Sequence, residues 1–537
     1  MTSHTFDYLI VGGGSAGCVL AARLSEDPSI NVALLEAGGP DDSVFIHCPA
    51  GLAVLAQTGQ ANWKLNTVPQ PGLNGRKGYQ PRGKTLGGSS SINAMIYIRG
   101  QREDYDHWAA LGNAGWSYND VLPYFIKAED NARGADAYHG KGGPLHVMNL
   151  TSPTPLSSVF VEAGRQAGFD VNSDFNGMGQ EGVGMYQVTH KNGERFSAAK
   201  GYLKPNMGRP NLHVYTGALT TRILMEHKRA VGVEFVHQGQ TKQLRASREV
   251  LLCAGAFQSP QLLMLSGIGP KQHLMDKGIA VVHELSGVGE NLHDHIDVVQ
   301  VVNAPKLTET FGVSLAGTWA AIKGIFEWRK KRTGMLTSNI AEAGGFVKSQ
   351  TVEKRPDIQF HFVVGKLVNH GRTPVLGHGY SCHVCLLRPL SRGSVKLASK
   401  DPFDTPLIDL NFLGERDDMD RMIRAFKIMR NVLQQPVLAR LGGKEAPRSA
   451  SANSDAEIEQ FIRNYADTVY HPVGSCRMGN GSMDVVDAQL RVHGLQGLRV
   501  VDASIMPEVV SGNTNAPVIM IAEKAADMIK AAQKAVP

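Results

Sequence analysis

A glycine-rich turn set between an apolar strand and a helix constrains this fold more than any other feature of the chain. Phe6-Asp7-Tyr8-Leu9-Ile10-Val11 is a short apolar run suited to a buried parallel strand, and Gly12-Gly13-Gly14-Ser15-Ala16-Gly17 follows at once. Val19, Leu20 and Leu24 then recur from Ala16 at helical spacing, Asp27-Pro28 stops the predicted helix, and Asn31-Val32-Ala33-Leu34-Leu35 reads as a second strand. Each part has a mechanical reason. Gly12 permits the tight turn, Gly14 lets the backbone approach a pyrophosphate, and Gly17 lets helix and strand pack closely. The helix N-terminus, from Ser15 and Ala16, offers unpaired N–H groups and a partial positive charge to phosphates. Glu36 ends the second strand, beside Ala37, where a carboxylate accepts from ribose hydroxyls and repels a 2′-phosphate. The chain is therefore expected to bind a dinucleotide in a Rossmann-like α/β domain.

The pattern recurs once without its context. Gly177-Met178-Gly179-Gln180-Glu181-Gly182 follows polar Asn172-Ser173-Asp174 and precedes a strand-like Val183–Val188, so it reads as a loop. With a single dinucleotide site, hydride transfer between two bound dinucleotides is not expected. Composition fits a globular protein with a large buried core: 537 residues, 42% hydrophobic and 19% charged. The net charge of +6 is spread along the chain, and the densest basic stretch, Arg329-Lys330-Lys331-Arg332, reads as a solvated helix end rather than a contact with an anionic membrane or partner. Nothing resembles a nucleic-acid site. Met1–Asp7 lacks the pattern of a secretory leader, and no apolar run spans a bilayer. A cytoplasmic protein is expected, at most peripheral at the inner face of the cytoplasmic membrane. The six scattered cysteines need not pair, and Cys382-His383-Val384-Cys385 reads as strand with buried thiols, not as half of a zinc site. No metal is expected.

Three longer segments carry a family likeness: Pro81–Ala94 (PRGKTLGGSSSINA), Gly255–Gly269 (GAFQSPQLLMLSGIG), and Tyr470–Gly479 (YHPVGSCRMG) followed by Asp502-Ala503-Ser504 and Asn513–Pro517 (NTNAP). In this order they resemble the glucose–methanol–choline oxidoreductases over nearly the whole chain, most closely bacterial alcohol dehydrogenases acting on choline, medium-chain alkanols or polyethylene glycol. The resemblance implies FAD, and adds Arg82, Gly87, Gly88, Asn93, Ala94, Met95, Thr220, Asp502, Ala503, Asn515 and Pro517 to the expected cofactor contacts. Some relatives hold FAD covalently on a histidine after the Gly-Gly-x-Ser-Ser stretch; Ile92 stands in that region here, so non-covalent FAD is expected. It also implies His471 as the base and Asn515 as its partner on the substrate oxygen. An imidazole suits the task because its ordinary pKa, roughly 6.5, leaves it neutral near pH 7. The C-terminal helix, with Pro517 in its first turn, would aim its positive end at the reduced flavin.

The implied architecture is α/β with a discontinuous FAD domain (1–155, 212–296 and 465–537) and an antiparallel-sheet substrate domain (156–211 and 297–464), the active site lying between them. The expected reaction is oxidation of a primary alcohol to the aldehyde, with electrons passed to a quinone or another carrier. An oxidase using O2 is the first alternative; an FAD-containing lyase and a non-catalytic flavin module are remoter ones. Candidate substrates are primary aliphatic alcohols, aryl alcohols, choline and polyethylene glycol. Of the other singled-out residues, His293-Asp294-His295 reads as a loop near the cofactor rather than a metal site. Glu342 is a candidate for the substrate channel, and His361 and Phe362 for the sheet facing the flavin.

Overall fold

In the computed structural model, which describes residues 5–534, the predicted unit forms as strand Thr5–Val11, helix Ser15–Leu24 and strand Val32–Glu36. The first four residues of the stretch read as lacking a leader lie outside the described residues. The helix stops before Asp27-Pro28, at a Ser25 cap whose hydroxyl donates back to the Ala21 carbonyl, while Asp27 accepts from Ser29 in the turn beyond. Strand Val32–Glu36 is buried along its whole length, as its unbroken apolar run requires.

The first sheet runs Leu212–Thr216, Val32–Glu36, Thr5–Val11, Gln240–Leu252, Arg229–His237 and Ala218–Glu226, with Leu498–Val500 also pairing with Gln240–Leu252. Strand Gln240–Leu252 joins two regimes. Its second half is parallel to Thr5–Val11 and Leu498–Val500, whereas its first half is antiparallel to Arg229–His237. The helix Asn515–Lys534 packs on Ser15–Leu24, so the chain's end closes over its beginning. Val518, Ile519, Met520, Ile521, Ala522, Ala525, Ala526 and Ile529 are all buried.

A second sheet is antiparallel: Ile296–Asn303, Gly379–Leu386, Ile358–Val363, Ala341–Val347 and Gly182–Met185, with short strands Lys444–Glu445 and Asp467–Thr468 added to Ile296–Asn303. Asp467–Thr468 falls in the stretch expected with the FAD domain, yet it pairs here. Ser394–Lys396 forms a separate two-stranded antiparallel sheet with Leu407–Asp409. Side chains alternate across the second sheet. Phe360 and Phe362 point to a core behind it, where Phe362 stacks on Phe160 at 4.5 Å. Helix Arg416–Leu433 covers that core with Met419, Met422, Ile423, Phe426, Met429 and Leu433, a stripe of period 3.6. The opposite face presents Asp297, Val299, His361 and His383 to a cavity between the two sheets.

Candidate active site

That cavity, of about 1000 Å³, reaches from the glycine turn to His471. The backbone of the turn explains its shape. Gly12 has φ +104°, and a Cβ there would lie 2.5 Å from the Cys253 carbonyl oxygen. A Cβ on Gly17 would lie 1.9 Å from the Gly12 oxygen, so only glycine lets helix and strand meet. At Gly14 a Cβ would find only the Cys253 oxygen, at 3.9 Å, so this glycine faces open cavity. Gly88 comes so close that its Cβ would lie 2.7 Å from Gly14 Cα. The two signature segments thus form one cradle.

Of the residues expected at the cofactor, Gly12, Gly14, Ser15, Ala16, Glu36, Ala37, Arg82, Gly88, Asn93, Ala94, Met95, Thr220, Asp502, Ala503 and Asn515 line this cavity. Gly17, Gly87 and Pro517 stand one layer behind. Gly87 has φ +83° and donates its N–H to the Gly13 carbonyl, and Pro517 sits in the first turn of Asn515–Lys534. Two helix N-termini meet at the cradle, tied by Ser15 Oγ donating to Asn515 Oδ1 at 2.8 Å. Their first N–H groups suit an anionic ligand. Thr220 Oγ1 is buried with no protein partner among the described residues, a polar atom left for a ligand. Glu36 accepts from Gly13 N at 2.8 Å and Gly38 N at 2.7 Å, and burial pushes its carboxyl up to about 7. Asp502 accepts from Gly255 N, Ser504 N and Ser259 Oγ, and so braces the helix Gly255–Leu265. Ile92 contributes only aliphatic carbon to the wall. These features fit FAD, held without a bond to that side chain.

At the other end His471 is fixed from three sides. Its backbone N–H donates to Asp294 Oδ1 at 2.8 Å, its Nδ1 meets His295 Nδ1 at 3.0 Å, and its Nε2 meets Asn513 Nδ2 at 3.2 Å. The Asn513 amide donates, so Nε2 is the accepting nitrogen. His471 then carries its proton on Nδ1 and gives that bond to His295. The two imidazoles stand nearly perpendicular, at 87°. Burial, and then the neighbouring His295, His361 and Arg82, hold His471 well below the ordinary histidine range. Burial pushes both His295 and His361 down to about 3. Arg82 donates to the Tyr470 carbonyl and lies over the Phe257 ring. Met95, Ile340 and Tyr470 line the cavity with φ of +60°, +69° and +76°. Non-glycine residues held there, a β-branched one among them, mark a backbone over-determined by its surroundings.

The expectations for Asn515 and Glu342 are corrected. The carboxamide against His471 belongs to Asn513; Asn515, two residues on, turns to Ser15 instead. Glu342 does not reach the cavity. It is fully buried, accepting from Thr154 N, Ser157 Oγ and Ser338 Oγ, and braces the start of helix Pro155–Gln166. In His293-Asp294-His295, His293 donates from Nδ1 to the Asn291 carbonyl and accepts from Val509 N–H, leaving Asp294 and His295 to hold His471. Arg195 was not singled out from the sequence. It is buried and donates to Ile46 O, Ser90 O, Asn93 O and Asn93 Oδ1, so it ties the Gly-Gly-x-Ser-Ser loop in place. A lone arginine in a polar stretch carries no local signal of such a role.

Comparison with known proteins agrees with this architecture. Two family models described as GMC oxidoreductase match residues 6–297 and 389–522. The chain is 49% identical to alcohol dehydrogenase [acceptor] from Pseudomonas putida, covering 98% of this chain and 95% of that one. It is 46% identical to oxygen-dependent choline dehydrogenase from Chromohalobacter salexigens, with the same coverage. Among solved structures, pyridoxine 4-oxidase from Mesorbium loti superposes with a TM-score of 0.87 at 34% identity, over 97% of this chain and 98% of that one. A formate oxidase gives 0.91 at 28% identity, over 99% and 100%. With matches of this length over both sheets and the cavity between them, the chain belongs to the GMC oxidoreductases.

Proposed function

We propose that this protein is an FAD-dependent alcohol dehydrogenase that oxidises a primary alcohol to its aldehyde, with His471 as base and Asn513 as its partner. The observation that carries the reading is the pairing of His471 Nε2 with the Asn513 amide at the cavity wall. An alcohol oxygen placed between them meets a proton acceptor and a hydrogen-bond donor together. His471 takes the hydroxyl proton on Nε2, and the Asn513 amide stabilises the negative charge that grows on oxygen. His295 holds the imidazole and its tautomer from behind, through the Nδ1 contact. Bound FAD supplies the hydride acceptor. Ile340, Val363, Leu367 and Val469 give the same cavity an apolar wall, which favours an aliphatic or aryl alcohol over a strongly charged one. The name of the Pseudomonas putida relative supports an acceptor other than oxygen, and we assign electron transfer to a quinone or similar carrier.

The test is anaerobic. Purified holoenzyme is mixed with linear primary alcohols, an aryl alcohol, choline and polyethylene glycol, and the flavin's visible absorption is followed. Bleaching by the aliphatic or aryl alcohols, lost in His471→Ala, is the expected result. Bleaching by choline alone would overturn the substrate assignment, and no bleaching by any member would overturn the reaction. Readmitting air then decides the acceptor, because hydrogen peroxide formed at the rate of turnover would make the protein an oxidase.

A further inference from the structure

The helix Leu315–Lys331 reverses the usual polarity of a surface helix. Its inward face is small and aromatic: Gly324 and Trp328 are buried, and Trp328 Nε1 donates to the Gly193 carbonyl at 2.7 Å. The outward face, where water-facing helices carry charge, is apolar instead. Leu315, Trp319, Ile322 and Phe326 follow at i, i+4, i+7 and i+11, and are 86%, 71%, 39% and 63% exposed. At 1.5 Å per residue this stripe is roughly 16 Å long. It continues beyond the helix start through exposed Val313, which bridges to exposed Leu376. Scattered exposed apolar residues need no explanation, but a contiguous stripe of this size marks a contact surface.

The stripe ends in cations. Arg329 and Lys330 prolong the line of Phe326, with Lys331 beside them and Lys323 on the flank. All four are exposed, and none pairs with a carboxylate among the described residues. Only Arg332, the last of the basic run, has a partner, Glu194 at 3.2 Å. We propose that this face is a docking surface for an anionic lipid bilayer. The aromatic and aliphatic side chains would enter the headgroup boundary, and the unpaired cations would meet lipid phosphates. Charge complementarity selects this occupant over a second copy of the chain, because this helix carries the exposed cations Lys323, Arg329, Lys330 and Lys331 against one half-buried carboxylate, Glu327, and so presents a net positive face. No helix among the described residues is long and apolar enough to cross a membrane, so the contact is interfacial. The hairpin that carries Leu376 also carries Leu367, Val368 and His370, which line the active-site cavity. Docking there sets the cavity beside the lipid, a route for apolar alcohols. The proposal does not rest on the identity of the electron acceptor.

The experiment is sedimentation of holoenzyme with vesicles of pure phosphatidylcholine and of phosphatidylcholine mixed with phosphatidylglycerol. Binding to the mixed vesicles that weakens as salt rises is expected. Trp319→Ser/Phe326→Ser should weaken it about tenfold, and Arg329→Gln/Lys330→Gln/Lys331→Gln about a hundredfold. Turnover with a soluble dye acceptor should be unchanged in both, because none of these residues lines the cavity. In a second readout, brominated lipid quenches tryptophan emission in the wild type and less in Trp319→Phe. The proposal is overturned if the wild type stays in the supernatant with both vesicles, or if both variants bind as it does. A concentration-dependent dimer abolished by Trp319→Ser/Phe326→Ser would also overturn it, in favour of a second copy.

Discussion

In the proposed mechanism the base must be neutral when the alcohol arrives, and burial beside His295, His361 and Arg82 secures that for His471. Because its pKa lies well below the ordinary value, the neutral form persists as pH falls through the usual histidine range. We therefore expect kcat/KM to stay level from pH 8 through that range and to drop only in more acid solution; a pH profile with its midpoint at 6.5 or above would refute the assignment. His471→Ala should lower kcat about 10²–10⁴-fold while FAD stays bound, since the role proposed for its side chain is proton transfer and not holding the cofactor. For Asn513→Ala the expected loss is smaller, about 10- to 100-fold in kcat/KM, in line with one hydrogen bond to a group gaining charge. Asn515→Ala should act elsewhere: it removes the acceptor for Ser15 Oγ, so its measurable effect is looser FAD binding with kcat at saturating cofactor largely kept. Comparing those two variants separates the roles of neighbours that local sequence cannot tell apart.

Elements transmit these placements through close backbone approach. Gly88, at φ +52°, presses against Gly14, and a methyl group on Gly88 would lie 2.7 Å from the Gly14 Cα. Gly88→Ala should yield folded protein with strongly reduced flavin content, read from the ratio of visible to ultraviolet absorbance. Glu342 works at a different joint. Its carboxylate gathers the Thr154 N–H and two serine hydroxyls, linking strand Ala341–Val347 to the start of helix Pro155–Gln166. Glu342→Ala leaves those buried donors unpaired, at about 1–3 kcal/mol for each left unsatisfied. A clear fall in Tm with near-normal kcat/KM is expected; loss of activity at unchanged Tm would return Glu342 to the substrate channel.

For the whole molecule the notable cost is a set of neutral histidines buried between the two sheets. His295 and His361 are held to about 3, against roughly 6.5 in an unfolded chain. Between those values the unfolded state binds protons that the folded state refuses, so stability is full above about pH 6.5 and declines as pH falls toward 3. Thermal unfolding should show Tm falling through this window, with a shallower fall in His361→Gln. An equal slope in both proteins would mean that other groups govern acid unfolding. His361 lies on the sheet that roofs the cavity and Gly12 on the turn that floors it, so this acid sensitivity resides at the junction that binds the cofactor.

Much of this was legible beforehand, and the boundary between legible and hidden has a physical cause. Strand, glycine turn, helix and terminal Glu36 are adjacent in sequence, and each imposes a local steric demand, so the cradle could be read residue by residue. The reversed polarity of Leu315–Lys331 was hidden, because an apolar period shows that a helix has a face and not which way the face points. The partner of His471 was hidden too. Both Asn513 and Asn515 flank the start of the last helix, and which one faces the imidazole depends on the turn at Gly512, at φ +145°. His295 meets His471 across 176 residues, through strand pairing that no local pattern encodes. By itself the sequence determined the nucleotide fold and the family, and pointed to His471 as the proposed base, because local sterics and long motifs carry that information. Only the tertiary structure decided which side chains surround that base, because those contacts depend on how two separate sheets close on one cavity.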